Sequence, residues 1–206
     1  MEKKNKQGLT ESEFLAAYQP KNYPRPSVTA DVIVFREIQS QHEVLLVQRG
    51  NHPYIGKWAL PGGFVQENES VQEAALRELK EETHVSDIPV EAVGLFSKPG
   101  RDPRTWVISE AYAAKMKGDK VQVQAGDDAD DAVWFHIQAY NQTEKDGKLF
   151  LTFEAFQHGK FQAVLQKKVV PGVLGERIEY LVEDSGELAF DHACMIACAM
   201  QKLCLL

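Results

Sequence analysis

The chain has 206 residues, 44% of them hydrophobic and 26% charged, which is ordinary for a globular protein and enough for one domain with an elaboration. Its formal net charge of −7 speaks against a general nucleic-acid binder, which needs a basic surface for phosphates, but leaves room for a local basic pocket. No apolar run is long enough to span a bilayer, MEKKNKQGLTESEF leads into no apolar signal core, and Cys194, Cys198 and Cys204 lack partners at zinc spacing; small apolar core cysteines in a reducing cytoplasm are expected.

In chain order, residues 1–9 are polar. Thr10 and Glu13 form a capping box and predict a short helix over SEFLAAY, stopped at Pro20. PKNYPRP is an extended connector. VTADVIVF (28–35) and EVLLVQRG (43–50) are apolar and β-branched and predict two paired strands. WALPGGFV (58–65) is a third extended segment, broken at Pro61-Gly62-Gly63. Ser70 and Glu73 form a second capping box, so a helix is predicted from Val71. An advance of about 100° per residue places Glu78, Glu81 and Glu82 within one arc of roughly 100°. That arc continues the stripe of Val71, Ala74 and Ala75, with Glu73, Arg77 and Lys80 on the side where solvent is expected. Two carboxylates about 4 Å apart repel by roughly 4 kcal/mol at an effective dielectric of about 20. Three acids on a buried stripe therefore call for protons or cations, whereas an isolated acidic triplet would simply be a solvated face. An all-oxygen set suits Mg²⁺ or Mn²⁺.

Beyond the helix, 90–97 and 105–116 predict strands around KPGRDPR, AGDDADD (125–131) an acidic loop, and AVWFHI (132–137) another strand. Residues 146–183 carry a further strand-like set with a turn at His158-Gly159, and LAFDHACMIACAMQKLCLL is apolar at helical spacing. The expected fold is α/β, a mixed sheet held between helices. It is read as a single domain over 1–206, with an N-terminal extension (1–27), a β-rich insertion (146–187) and a closing helix (188–206).

Gly63, five residues, Glu69, seven residues, then Arg77-Glu78-Leu79-x-Glu81-Glu82 with Val85 beyond resembles the Nudix box. His84 stands where that family has a glycine, at a position that ends the helix, often with positive φ. RGNHPYIGKWALPGGF, PGRDPR and LAFDHA look like the branch of the family that hydrolyses ADP-ribose. The resemblance implies an α/β/α Nudix sandwich and Mg²⁺-dependent hydrolysis of a nucleoside diphosphate linked to another group, here ADP-ribose to AMP and ribose 5-phosphate. It implies Glu78, Glu81 and Glu82 as metal ligands, Arg77 as their orienting partner, and Glu69 as a tie between loop and helix. The base is Glu82 or comes from a loop outside the box, with Asp127 or Asp128 as candidates. A small-molecule nucleotide partner and a homodimer are implied, with no nucleic acid and no membrane.

Arg49, Arg101 and Arg104 are candidates to grip phosphate or ribose, since guanidinium binds such oxygens in pairs. Gly62 and Gly63 form either a plain sharp turn or a place where backbone meets phosphate. Trp58 and Phe64 are candidates to stack adenine or to fill the core. His192 is expected to partner nearby backbone. Hydrolysis of nucleoside triphosphates or other nucleotide conjugates is a second enzymatic reading. A reading of another class comes from EFLAAYQPKNYPRPSVTADVIVF, which resembles the start of Nudix-type repressors of nicotinamide-nucleotide metabolism. Retention of all the acids and the lack of a helix-turn-helix pattern over 138–206 weigh against it.

Overall fold

In the computed structural model, which describes residues 2–116, 123, 125–126, 129–142, 147–173 and 175–206, the two apolar runs near the N-terminus form the centre of the sheet. β1 (Ser27–Ile38) and β2 (Gln41–Arg49) pair antiparallel. Residues 30–35 are buried without alternation, because helices cover both faces of the sheet at this point. The third extended segment splits as expected into β3 (Trp58–Ala59), paired with β2, and β4 (Gly62–Phe64), paired with β1. After α2 (Val71–Thr83) come β5 (Glu91–Phe96) and β6 (Val107–Met116), the latter parallel to β1. β7 (Ala129–Asn141), β8 (Gly147–Ala155), β9 (Gly159–Val170) and β10 (Arg177–Asp184) follow, then α3 (His192–Lys202).

Among the described residues these strands make one mixed sheet in the order β10-β9-β8-β7-β2-β1-β6-β5. α2 lies on one face, where Ala74, Ala75 and Leu79 pack against Ala30, Val32, Val34 and Leu45. α3 lies on the other, where Met195, Ile196 and Ala199 join Ile33, Phe35, Leu46 and Phe135. The result is the helix–sheet–helix layering expected of the sequence. The segment read as β-rich supplies β8, β9 and β10, whose Leu149, Leu151, Phe153, Ala163, Leu165 and Tyr180 belong to the α3-side core. Ala129–Asp131, expected in the acidic loop, instead opens β7, because pairing with Arg49 and Gln48 of β2 captures these residues.

Local chemistry sets the helix ends. Ser70 Oγ accepts from the Glu73 N–H and the Glu73 carboxylate accepts from the Ser70 N–H at 2.7 Å, so α2 starts where the capping box predicts. His84 closes it at φ 60°, ψ 11°, the left-handed conformation that a glycine would take more easily, and its N–H reaches the Lys80 carbonyl. α1 (Glu11–Ala17) has its own capping box at Thr10, yet among the described residues it buries none of its side chains. Cys194 is buried and its thiol donates to the Tyr180 carbonyl, whereas Cys204 is exposed, so the expected apolar core role holds for the first and not the last.

Candidate active site

The registers Asp31↔Gly62 and Ala30↔Gly63 between β1 and β4 make the two glycines strand residues, where the sequence suggested a turn, and bring the Pro61-Gly62-Gly63 bend against Glu78 and Glu82 in the C-terminal half of α2. A side chain on either glycine would force a shift, of backbone at Gly62 and of the Glu78 carboxylate at Gly63. A Cβ on Gly62 would lie 2.3 Å from the Ala30 carbonyl oxygen, and one on Gly63 would lie 2.4 Å from Glu78 Oε1. The two glycines line a cleft of about 420 Å³ whose wall carries both charges, an acidic set of Glu78, Glu82 and Asp31 and a basic set of Arg49, Arg101 and Arg104. That volume is within the usual size of a small-molecule site.

In the acidic set, Glu82 Oε2 accepts the Gly62 N–H at 2.9 Å. Burial raises the Glu82 pKa to about 8, the neighbouring Glu78 and Asp31 charges add to this, and the Gly62 hydrogen bond only partly offsets it. Burial also raises the Glu78 pKa, against the pull of Arg77. Arg77 departs from its expected solvent-facing position. Its long side chain turns back over the acids, with Nη2 2.7 Å from Glu69, Nη1 2.7 Å from Glu78 and 2.9 Å from Glu81, and a further bond to the Phe64 carbonyl. Chiefly through Glu69, these partners raise its pKa further, so it stays charged. Arg77 thus bridges Glu78 and Glu81 of the helix to Glu69 of the loop before it.

The three glutamates do not converge. Glu81 is 54% exposed at its side chain, is bonded to Arg77 and does not line the cleft. Among the described residues no three His, Cys, Asp or Glu side chains are grouped to hold a metal ion. The helical arc fixed where each Cβ points, not where each carboxylate ends. Glu78 and Glu82 nevertheless supply the hard oxygen donors that a divalent cation takes, and the raised pKa of each marks negative charge short of compensation. A cation bound between them fits this chemistry.

In the basic set each guanidinium is held in place. Arg101 donates to both oxygens of Asp191, at 2.6 and 3.1 Å. Arg104 forks onto Asp102, with Nη2 at 2.7 Å, and lies over the Phe64 ring at 5.2 Å and the Phe190 ring at 5.8 Å. Arg49 donates through Nε to the Pro53 carbonyl at 2.7 Å and lies 5.1 Å over Phe190; burial, and then the charge of Arg104, lower its pKa. Phe64 lines the cleft. Trp58 does not: it is 5% exposed and packs edge-on against Phe135 and His158, so of its two expected roles it takes the core one. His192, buried, accepts the Leu60 N–H at Nδ1 at 2.9 Å, as a backbone partner should. Its burial lowers its pKa and keeps the ring neutral. Asp127 and Asp128 lie outside the described residues, although Ala129, next in sequence, lines the cleft.

Residues of this site that escaped the sequence reading include Asp31, Ser109, Asp102, Phe190 and Asp191. Asp31 accepts the Ser109 hydroxyl and lies 3.7 Å from His192 Nε2, beyond hydrogen-bond length. A lone acid inside the run VTADVIVF was its available signal, since a buried strand tolerates a carboxylate only with partners.

A family model for the NUDIX domain matches residues 25–153, and the chain belongs to the Nudix family. Over 115 residues it is 41% identical to the ADP-ribose pyrophosphatase of Methanocaldococcus jannaschii, a match covering 56% of this chain and 64% of that protein. Over 117 residues it is 38% identical to the ADPR responsive transcriptional repressor NtrR of Acinetobacter baylyi, covering 56% and 47%. The matches thus span between about half and two thirds of these curated relatives. Among solved structures, a MutT/nudix family protein from Enterococcus faecalis overlays with a TM-score of 0.75 at 32% identity, covering 97% of this chain and 71% of that one. The NUDIX domain of Shewanella oneidensis NrtR, complexed with ADP ribose, overlays at 0.64 and 27% identity, covering 95% and 99%.

Proposed function

We propose that the chain hydrolyses a nucleoside diphosphate linked to a second moiety, with ADP-ribose as substrate and AMP and ribose 5-phosphate as products. The observation that carries this reading is a single cleft that gathers the partly buried carboxylates Glu78 and Glu82 with Arg49, Arg101 and Arg104 beside Gly62 and Gly63. The relatives named for ADP-ribose support the choice of substrate. Glu78 and Glu82 would hold Mg²⁺ or Mn²⁺, which when bound neutralises phosphoryl oxygens and lowers the pKa of a water. Glu81, exposed and outside the cleft lining, would have to turn inward to join them. The arginines bind and orient the diphosphate, and Gly62 and Gly63 let backbone approach it. Glu82 would take a proton from the attacking water, and Asp128, next in sequence to cleft-lining Ala129, is the second candidate base. We place the protein in the cytoplasm, consistent with the finding that among the described residues no helix is long and apolar enough to cross a membrane. Exposed Phe14 and Leu15 on α1, with Tyr18 at its C-cap, favour a homodimer. Incubation with Mg²⁺ and ADP-ribose, nucleoside triphosphates and sugar nucleotides, with products separated by chromatography, tests the reading. Pyrophosphate release from triphosphates at efficiency well above that for ADP-ribose would replace the substrate assignment.

A second reading, the ligand-sensing part of a transcription regulator, is favoured by the match over 95% of this chain to the NrtR NUDIX domain. It requires ADP-ribose binding without turnover, together with a footprinted duplex DNA site at physiological salt. With a net charge of −7 and Glu78, Glu82 and Arg77 all in place, we expect turnover and no nanomolar DNA binding.

A further inference from the structure

Phe190 and Asp191, just ahead of α3, hold the basic side of the cleft, and His192, the first residue of α3, holds the segment that leads to its glycines. Phe190 has φ +51°, a left-handed conformation that a bulky side chain rarely adopts. Such a conformation persists only where the surroundings over-determine it, and it clusters at functional sites. Here it sets one ring beneath two guanidiniums, Arg49 at 5.1 Å and Arg104 at 5.8 Å, with Tyr54 edge-on at 4.8 Å. Arg49 and Arg104 repel each other, and the negative face of the ring offsets that repulsion. Asp191 fixes Arg101 through two hydrogen bonds. His192 pins the Leu60 N–H, one residue before Pro61-Gly62-Gly63.

We propose that Phe190-Asp191-His192 is the positioning element of the cleft, which fixes the arginines as a ready-made diphosphate receptor and the glycine bend that lines the same cleft. The proposal rests on reading the cleft as a nucleoside-diphosphate site. Arginine side chains have many rotamers, and ordering them before the ligand arrives removes a cost that binding would otherwise carry. Phe190 and Asp191 act on the arginines, whose contacts persist from ground to transition state, so their loss is expected in KM. His192 acts on the bend beside Glu82, so its loss is expected in kcat.

Calorimetry in chelator with inorganic pyrophosphate reads the arginines without a cation, and steady-state kinetics with ADP-ribose and Mg²⁺ reads turnover. Phe190→Leu is expected to weaken pyrophosphate binding at least fivefold and to raise KM similarly, with kcat changed less than threefold. Phe190→Tyr, which keeps the ring, is expected to stay within twofold of the parent on both. Asp191→Asn is expected to behave like Phe190→Leu. His192→Ala is expected to lower kcat at least tenfold, and His192→Asn, whose amide oxygen can accept the Leu60 N–H, to recover part of it. Should Phe190→Leu not fold, Asp191→Asn and the His192 pair carry the test. Pyrophosphate affinity equal to or tighter than the parent's in folded Phe190→Leu or Asp191→Asn overturns the proposal, even if the parent hydrolyses ADP-ribose. A parent that binds pyrophosphate but does not bind ADP-ribose removes the substrate reading, and the pyrophosphate series still decides positioning. A parent that binds neither overturns both.

Discussion

Glu82→Gln removes a charge from the most perturbed carboxylate of the cleft while keeping an oxygen able to accept the Gly62 N–H. In the cation-free protein, burial raises the Glu82 pKa from 4.5 to about 8. The folded state therefore holds a proton that the unfolded chain releases above about pH 4.5, so this group's contribution to stability falls as pH rises between those two values. At about 1.36 kcal/mol per unit the full penalty near pH 8 has an upper bound of about 5 kcal/mol. Water entering the open cleft and relaxation around the charge bring the expected figure to about 2 kcal/mol, or roughly 4–8 °C in Tm for a chain of this size. The assay is calorimetric unfolding of both proteins in chelator from pH 5 to pH 8.5. The variant should match the parent at the acid end and exceed it progressively toward pH 8. Mg²⁺ should then raise the Tm of the parent more than that of the variant, because ligand binding to the folded state stabilises it. Activity of the variant should fall by about two orders of magnitude or more, as for loss of a base or ligand. A gap that does not change with pH, or a variant less stable than the parent at pH 8, would refute the assignment of Glu82 as a charge strained by burial.

Excess chelator should abolish hydrolysis and Mg²⁺ or Mn²⁺ restore it; full turnover in chelator would remove the cation from Glu78 and Glu82. Substitution of Arg49, Arg101 or Arg104 by Ala should chiefly raise KM for ADP-ribose, as measured by initial rates, and a loss confined to kcat would assign that arginine elsewhere. Gly126→Ala should lower the Tm by several degrees in thermal melts, since its Cβ would lie 1.7 Å from the Glu81 carbonyl oxygen at the end of α2; an unchanged Tm would mean that this loop yields freely.

What the sequence made legible was what short-range chemistry decides. Both capping boxes act between residues three apart, so the starts of α1 and α2 could be read directly. The central strands announced themselves by apolar, β-branched runs. The site was legible as a set of residues but not as a geometry. Glu81 shares a helical arc with Glu78 and Glu82, yet its carboxylate turns outward to Arg77, because the long flexible side chains of both can meet there. Arg77 lies outside that arc at Cα and still reaches three acids. The contacts of Arg101 with Asp191 and of Leu60 with His192 join residues 90 and 132 positions apart, and no local pattern encodes such pairs. Trp58 shows the converse: an aromatic beside a glycine turn looks available for stacking, but the pairing of β3 with β2 sends it into the core.

Those same separations bear on how the molecule comes into being. During synthesis β1, the glycine bend and the acidic helix leave the ribosome well before the Phe190-Asp191-His192 segment exists. Until that segment arrives, the Leu60 amide lacks its acceptor and Arg101 its counter-charge. Contacts between residues so distant in sequence close late, because the loop between them must first be ordered. The nascent chain therefore passes through a stage with its cleft unassembled. A product cut short before residue 190 would keep the Nudix box and lack the anchors of Arg101 and of the Leu60 amide, which ties completion of the cleft to the last stretch of folding.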